Sequence, residues 1–251
     1  MFVDFDGTLA PIVEDPDAAR PVEGSAELLA RLAGRFAKVA VVSGRPVAYL
    51  VANLAGAGRT ELVGLYGLES QLAELPAAQA SPGAARFLQS VANVADEAER
   101  QAAQDPVRFA GLGVERKGLT VTLHYRKAPS LAAWVESFAA AQAAATGLVA
   151  HPGKMSVELR PPVETDKGTV VASFAEGLAA VCYLGDDLGD LPAFRTLATL
   201  RSRGVATLAV AVRSGIGDET PPAVVDAADI VVDGPHGVLG VLRALAGDRP
   251  G

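Results

Sequence analysis

Two carboxylates stand within the first six residues of an otherwise apolar, strand-prone start, Met1-Phe2-Val3-Asp4-Phe5-Asp6, which Gly7-Thr8 closes. A buried strand does not hold two unpaired acids in its interior. They belong at its C-terminal end, where an open α/β sheet has its ligand crevice. Crowded carboxylates repel unless a cation or a shared proton relieves them, and Mg²⁺ is the usual cation for oxygen ligands working beside phosphate. Taken alone, the same residues also fit an Asp-x-Asp-Gly surface turn. Only three residues precede Asp4, so the first strand is short and Met1 reads as an internal start or a trimmed terminus.

A chain of 251 residues, half of them apolar, fits one large domain or a core with a smaller insert. Its net charge of −7 argues against a nucleic-acid or membrane-surface binder, which needs a basic face. The single cysteine, Cys182, excludes an intramolecular disulfide framework. It lies in the run Val181-Cys182-Tyr183-Leu184 and reads as core filler. No Cys/His cluster suggests zinc. No apolar stretch approaches the roughly 18 residues that span a bilayer, and no signal-like segment opens the chain. The sequence therefore reads as a soluble, cytoplasmic protein. A monomer suffices for this reading, and nothing in the sequence sets the oligomeric state.

Along the chain, the Pro-rich stretch 11–21 with Glu14, Asp15 and Asp17 reads as a solvated connector. Ser25–Leu32 has helical spacing, Phe36–Val42 reads as a buried strand, and Ser43-Gly44-Arg45-Pro46 leads into a short helix from Val47. A hydroxyl and free N–H groups at a helix start make an anion seat, although Ser also serves simply as a cap. Glu61–Gly67 reads as a third strand. Alternation of strands and helices predicts a parallel sheet. From about Gly83 to Ala103, the residues Phe87, Val91, Val94 and Ala98 fall at steps of four, three and four, which predicts one amphipathic helix. Two strands follow (111–116 and 119–126), then a helix over 131–145 and strands at 148–150 and 156–160. This small α+β layer, over 83–161, is predicted to be inserted into a parallel core of 1–82 and 162–251. Beyond Pro161-Pro162, a helix is expected from Thr165 to about Leu178. Strand 180–184, helix 191–199, strands 205–212 and 229–232 and a helix near 238–246 complete the core.

In a parallel sheet, Asp4 and Asp6, Ser43, Lys167 and Asp186-Asp187 all reach the edge at the strand C-termini. Several carboxylates, a lysine and a hydroxyl around one crevice suit a divalent metal and a phosphoryl group.

At this point a resemblance is evident. The stretches DFDGTLAPI (4–12), VVSGR (41–45), DKG (166–168) and YLGDDLGD (183–190) resemble the four motifs of the haloacid-dehalogenase phosphatase superfamily. ERKGLTVTLHYR (115–126), GKMSVELRP (153–161) and GDDLGDLPAF (185–194) are similar to trehalose-6-phosphate phosphatases. The resemblance implies a Rossmann-like core with an α+β cap, and Mg²⁺-dependent hydrolysis of trehalose 6-phosphate through an aspartyl-phosphate. It implies Asp4 as nucleophile and Asp6 as proton donor and acceptor. Ser43 and Lys167 would hold the phosphoryl group. Asp4, the backbone carbonyl of Asp6, and Asp186 would ligate Mg²⁺, with Asp187 or Asp190 directly behind or beside them. Thr8 would cap the turn or bond Asp6.

In the cap, Glu115, Lys117, His124, Arg126, Lys154, Glu158 and Arg160 alternate with apolar residues. Such a face reads sugar hydroxyls through charge-assisted hydrogen bonds, or is an ordinary solvated sheet face. With the resemblance, Lys154 and Glu158 lead as sugar-binding candidates, then Glu115 and Lys117. Arg126 would contact phosphate or buttress the sheet. Three positions depart from the family pattern: Arg116 where an acid is usual, Tyr66 where histidine is usual, and Gly189 where threonine is usual. A phosphatase for another sugar phosphate, such as sucrose phosphate or a glycosyl-phosphoglycerate, and a noncatalytic sugar-phosphate sensor are the competing readings. Intact Asp4, Asp6, Lys167 and Asp186 argue against the sensor.

Overall fold

The structure, a computed structural model, describes residues 1–13, 15–73, 77–213 and 220–248. Two compact units result, Met1–Gln79 with Thr165–Gly251, and Ala80–Glu164. The first unit opens with β1 (Phe2–Val3), α1 (Ser25–Ala33), β2 (Ala40–Val42), α2 (Val47–Asn53), β3 (Glu61–Gly64) and β4 (Glu69–Gln71), with β5 (Gln79–Ala80) at the unit boundary. The second contains α3 (Pro82–Ala85), α4 (Leu88–Gln104), β6 (Gly113–Arg116), β7 (Val121–His124), α5 (Ala132–Thr146), β8 (Val149–Gly153) and β9 (Ser156–Arg160). The chain then returns through α6 (Lys167–Phe174), β10 (Ala180–Gly185), α7 (Leu191–Ser202), β11 (Ala206–Arg213), α8 (Pro222–Asp226), β12 (Ile230–Asp233) and α9 (Gly234–Ala246).

The large sheet runs β12-β11-β10-β1-β2-β3-β4-β5. The six strands from β12 to β3 are parallel, and β4 turns back antiparallel on β3. Alternate side chains leave opposite faces. Val3, Val41, Leu184 and Val210 pack beneath Leu28, Leu29 and Leu32 of α1 and Val238, Leu239 and Leu242 of α9. Phe2, Val42, Tyr183 and Ala211 pack against Val170 and Val171 of α6 and Phe194 and Leu197 of α7. Both faces of the sheet are covered, as an apolar parallel sheet requires.

In the second unit, the order β6-β7-β9-β8 is antiparallel throughout. Val121, Leu123, Val157 and Leu159 face Val91, Val94 and Ala98 of α4 and Val135 and Phe138 of α5. The opposite face carries the polar alternates.

Several expected bounds shift for local reasons. Arg35 and Phe36 still donate to Leu32 O, finishing α1, so β2 is only three residues long. The expected strand 61–67 stops at Gly64, because Leu65 and Tyr66 adopt φ 51° and 58° and Gly67 φ 101°. Left-handed φ at a non-glycine residue costs about 1–3 kcal/mol. The expected helix 83–103 is two helices parted at Arg86-Phe87. Helix α6 ends at Phe174, before Gly177 at φ 76°. Helix α9 begins earlier than expected, with Pro in its first turn and left-handed Gly247 (φ 82°) after its end. Strands β4 and β5 and helix α8 were not anticipated. In the connector, Asp17 lies in a single 3₁₀ turn over Pro16–Ala18, while Glu14 lies outside the described residues. Among the described residues, no helix is long and apolar enough to cross a membrane.

Candidate active site

The parallel strands β1, β2 and β10 are followed immediately by Asp4, Ser43 and Asp186 respectively. Asp4 continues the ladder, its N–H donating to Leu184 O at 2.9 Å, so its buried side chain emerges at the sheet edge. Lys167 is the first residue of α6. Asp166 fixes that start by accepting from Thr169 N at 2.7 Å while its own N–H donates to Thr169 Oγ1. The buried Lys167 ammonium then lies 2.8 Å from Asp4 Oδ1 and donates to Asp190 Oδ1 at 2.7 Å.

Asp190 is fully buried and its two oxygens receive four donors. Tyr183 Oη and Lys167 Nζ reach Oδ1, at 2.6 and 2.7 Å. The N–H groups of Asp186 and Asp187 reach Oδ2, at 2.8 and 3.0 Å. Asp186 is buried beside the first turn, where Thr8 Oγ1 donates to its Oδ1 at 3.3 Å. Gly7 is required there. Its φ is 75°, and a β-carbon would fall 2.0 Å from Asp186 Oδ2.

Charge sets the character of this cluster. Burial, together with Asp190 and Asp186, holds the Asp4 carboxyl well above its usual range despite Lys167. Burial alone would lower the Lys167 ammonium, but Asp4 and Asp190 outweigh it and hold its pKa well above the ordinary lysine value. Ionising all three carboxylates beside one ammonium would leave two negative charges in a buried space. A divalent cation cancels them. One oxygen from each of Asp4, Asp186 and Asp190 lies within 4.8 Å of the others. An all-oxygen set of hard donors suits Mg²⁺. Because Asp190 already accepts four protein donors, Asp4 and Asp186 are the better direct ligands. Asp190 is better placed to orient Lys167 and the Asp186 backbone.

Ser43 is buried, its N–H bound to Val63 O at 2.9 Å and its Oγ accepting from Arg45 N at 3.1 Å. Asp6 does not join the buried cluster through its side chain. Arg45 holds it in a two-point fork, Nε to Oδ2 and Nη2 to Oδ1, both at 2.8 Å. This bond raises the Arg45 pKa further above its ordinary value. Asp187 instead caps its own turn, accepting from Gly189 N at 2.8 Å. A β-carbon at Gly189 would come within 3.0 Å of that carboxylate.

In the second unit, the structure gathers Glu115, Lys117 and Glu158. Lys117 Nζ lies 3.3 Å from Glu115 and 3.5 Å from Glu158. His124 bonds Glu115 at 2.8 Å, and Thr120 and Thr122 donate to Glu158 at 3.0 and 3.4 Å. The His124 bond, and behind it Lys117, hold the Glu115 carboxyl below its usual range. Thr122 stands opposite both Glu115 and Glu158 in the ladder, so all three share one face. Lys154 and Arg126 meet each other instead, Arg126 Nη2 reaching Lys154 O at 3.4 Å. Arg116 turns to the helix side and pairs with Asp96 and Glu99 of α4. Its departure from the usual acid therefore leaves the polar face unchanged.

Sequence reasoning gave no role to Tyr183 or Arg45. Arg45 sat inside the quoted Ser-Gly-Arg motif, and the spacing of Asp186 and Asp190 by four was the available signal for the latter's position.

The sequence profile of the Trehalose-phosphatase family matches residues 2–223. The chain belongs to the trehalose-phosphatase family. A trehalose-phosphate phosphatase of Mycolicibacterium paratuberculosis is 36% identical over 204 residues, 77% of this chain and 50% of that protein. The chain thus spans about half the length of the curated relatives it matches. Among solved structures, a trehalose-6-phosphate phosphatase related protein superposes with a TM-score of 0.73 at 25% identity, covering 98% of this chain and 96% of that one. A haloacid dehalogenase-like hydrolase from Bacteroides thetaiotaomicron gives 0.60 at 16% identity, over 97% and 98%, a likeness of fold. This trehalose-phosphatase family member therefore has the haloacid-dehalogenase-like α/β core expected from its motifs.

Proposed function

We propose that the chain is a Mg²⁺-dependent phosphatase that hydrolyses trehalose 6-phosphate to trehalose and phosphate. The observation that carries this is the buried cluster of Asp4, Asp186, Asp190 and Lys167, in which one oxygen from each of three carboxylates lies close enough to share one divalent cation. Family membership supports the reaction class.

When bound, Mg²⁺, held by Asp4, Asp186 and the Asp6 carbonyl, supplies positive charge that lets a carboxylate approach a phosphate dianion. An Asp4 carboxylate oxygen attacks phosphorus, and the P–O bond to the sugar breaks. Lys167 and Ser43 hold non-bridging oxygens through the transfer. Asp6 protonates the departing sugar oxygen, then takes a proton from the water that attacks the aspartyl-phosphate. Phosphate leaves and Asp4 is restored. To donate, Asp6 must carry a proton, and a carboxylate with both oxygens accepting from a guanidinium carries none, so the Asp6–Arg45 fork has to open and Asp6 take up a proton first.

The second unit is proposed to read the sugar. Two carboxylates bridged by one lysine offer paired acceptors and donors to vicinal hydroxyls. Glu158→Ala is expected to raise KM for trehalose 6-phosphate about tenfold or more, the cost of a lost charged hydrogen bond. KM for an aryl phosphate should stay unchanged. An equal effect on both substrates removes Glu158 from the sugar site.

The functional test is phosphate release from a panel containing trehalose 6-phosphate, sucrose phosphate, a glycosyl-phosphoglycerate and an aryl phosphate, with Mg²⁺ and with chelator. Trehalose 6-phosphate should be preferred, and chelation should stop turnover. Mg²⁺ should also raise Tm, since a ligand of the folded state alone stabilises by about 2.7 kcal/mol at a hundred times its Kd. Equal rates across the panel would refute the sugar assignment, and binding without release would favour the sensor.

A further inference from the structure

Leu65 and Tyr66 are consecutive residues in the left-handed region, φ 51° and 58°. Glycine or asparagine adopts that conformation at far lower cost, so a tyrosine held there points to a use for its side chain. The backbone is pinned on both sides by the phosphate-handling elements. Tyr66 N–H donates to Ser43 O at 3.0 Å, and Leu65 N–H to Arg45 O at 3.0 Å. Thr165 Oγ1, two residues before Lys167, donates to Tyr66 O at 2.8 Å. The ring lies on the turn that follows Ser43. A β-carbon at Gly44 would fall 2.6 Å from both Tyr66 Oη and Cζ, so Gly44 leaves the space that the phenol fills. The residue as a whole is 37% exposed.

We propose that Tyr66 is a further phosphate-binding residue, its phenol donating a hydrogen bond to a non-bridging oxygen of the phosphoryl group seated at Ser43 and Lys167. The ligand class is a phosphate monoester dianion or free phosphate. Strain in the Leu65-Tyr66 turn is the means by which the hydroxyl is carried from the end of β3 to the Ser43-Gly44 turn. The inference deepens the proposed function and rests on its placement of the phosphoryl group.

The test is Tyr66→Phe in the full chain, which keeps the ring and backbone and removes only the hydroxyl. Binding of inorganic phosphate is measured by calorimetry with Mg²⁺ present, beside Tm and the kinetics of the substrate panel. Phosphate Kd should rise about tenfold, as for one hydrogen bond to a charged group. KM should rise by a similar factor for trehalose 6-phosphate and for the aryl phosphate, with Tm unchanged. Unaltered phosphate affinity would overturn the proposal, as would a KM effect confined to the sugar substrate. Wild-type protein that binds no phosphate would overturn it too. If the wild type hydrolyses nothing on the panel yet loses phosphate affinity on Tyr66→Phe, the enzymatic reading fails and the contact stands.

Discussion

Asp4→Asn is expected to reduce phosphate release by at least about 10⁴-fold, the scale of loss when a covalent nucleophile is removed. An amide oxygen does not attack phosphorus at a useful rate, and the two other carboxylates of the cluster are already engaged. Asp186 faces the Gly7 turn and Thr8, and Asp190 is filled by four donors. The fold should survive. Asn keeps the shape, and its arrival leaves Lys167 paired with Asp190. It also removes one of three mutually repelling carboxylates from a buried space, so Tm should stay level or rise. Phosphate release and Tm, measured together, check both halves. Substantial turnover in the folded variant would remove Asp4 as nucleophile.

Asp190→Ala is expected to have the largest effect on stability. The carboxylate is fully buried and satisfies an ammonium, a phenol and two backbone N–H groups at once. Its removal strands all four in a buried site. Breaking one side of a buried ion pair costs about 3–5 kcal/mol. At 2–4 °C per kcal/mol for a chain of this size, Tm should fall by about 6–20 °C. Asp190→Asn should fall part of the way, because its amide NH₂ would confront donors. Activity should drop as well, since Lys167 loses the partner that aims it and the Asp186 backbone loses its anchor. Chemical or thermal unfolding followed by circular dichroism gives the measurement. A Tm within 2 °C of wild type would show that Asp190 does not organise the site.

Asp190 also marks where sequence reasoning ran short. Its four-residue spacing from Asp186 shows that both sit in one turn, but not that Asp190 points inward while the Asp187 carboxylate accepts from the Gly189 N–H two residues on. That is settled by Tyr183 and Lys167, which stand 7 and 23 residues away and meet Asp190 only once β10 and α6 pack. Arg45 is a similar case. Its two-point grip on Asp6 crosses 39 residues, and no local pattern encodes it.

What the amino-acid order alone determined was periodic or covalently local. Apolar runs ending in Asp, Ser or Gly-Asp-Asp placed the candidate site residues at strand ends, and helical spacing placed the packed helices. Alternation along β7 and β9 separated a polar face from a core face. What only the tertiary structure decided was which charges meet: Lys167 between Asp4 and Asp190, Asp6 on Arg45, and Tyr66 against Gly44. Pairing of that kind depends on distances across strands far apart in the chain. It depends also on backbone turns such as Leu65-Tyr66, whose left-handed angles run against the preferences of their own side chains.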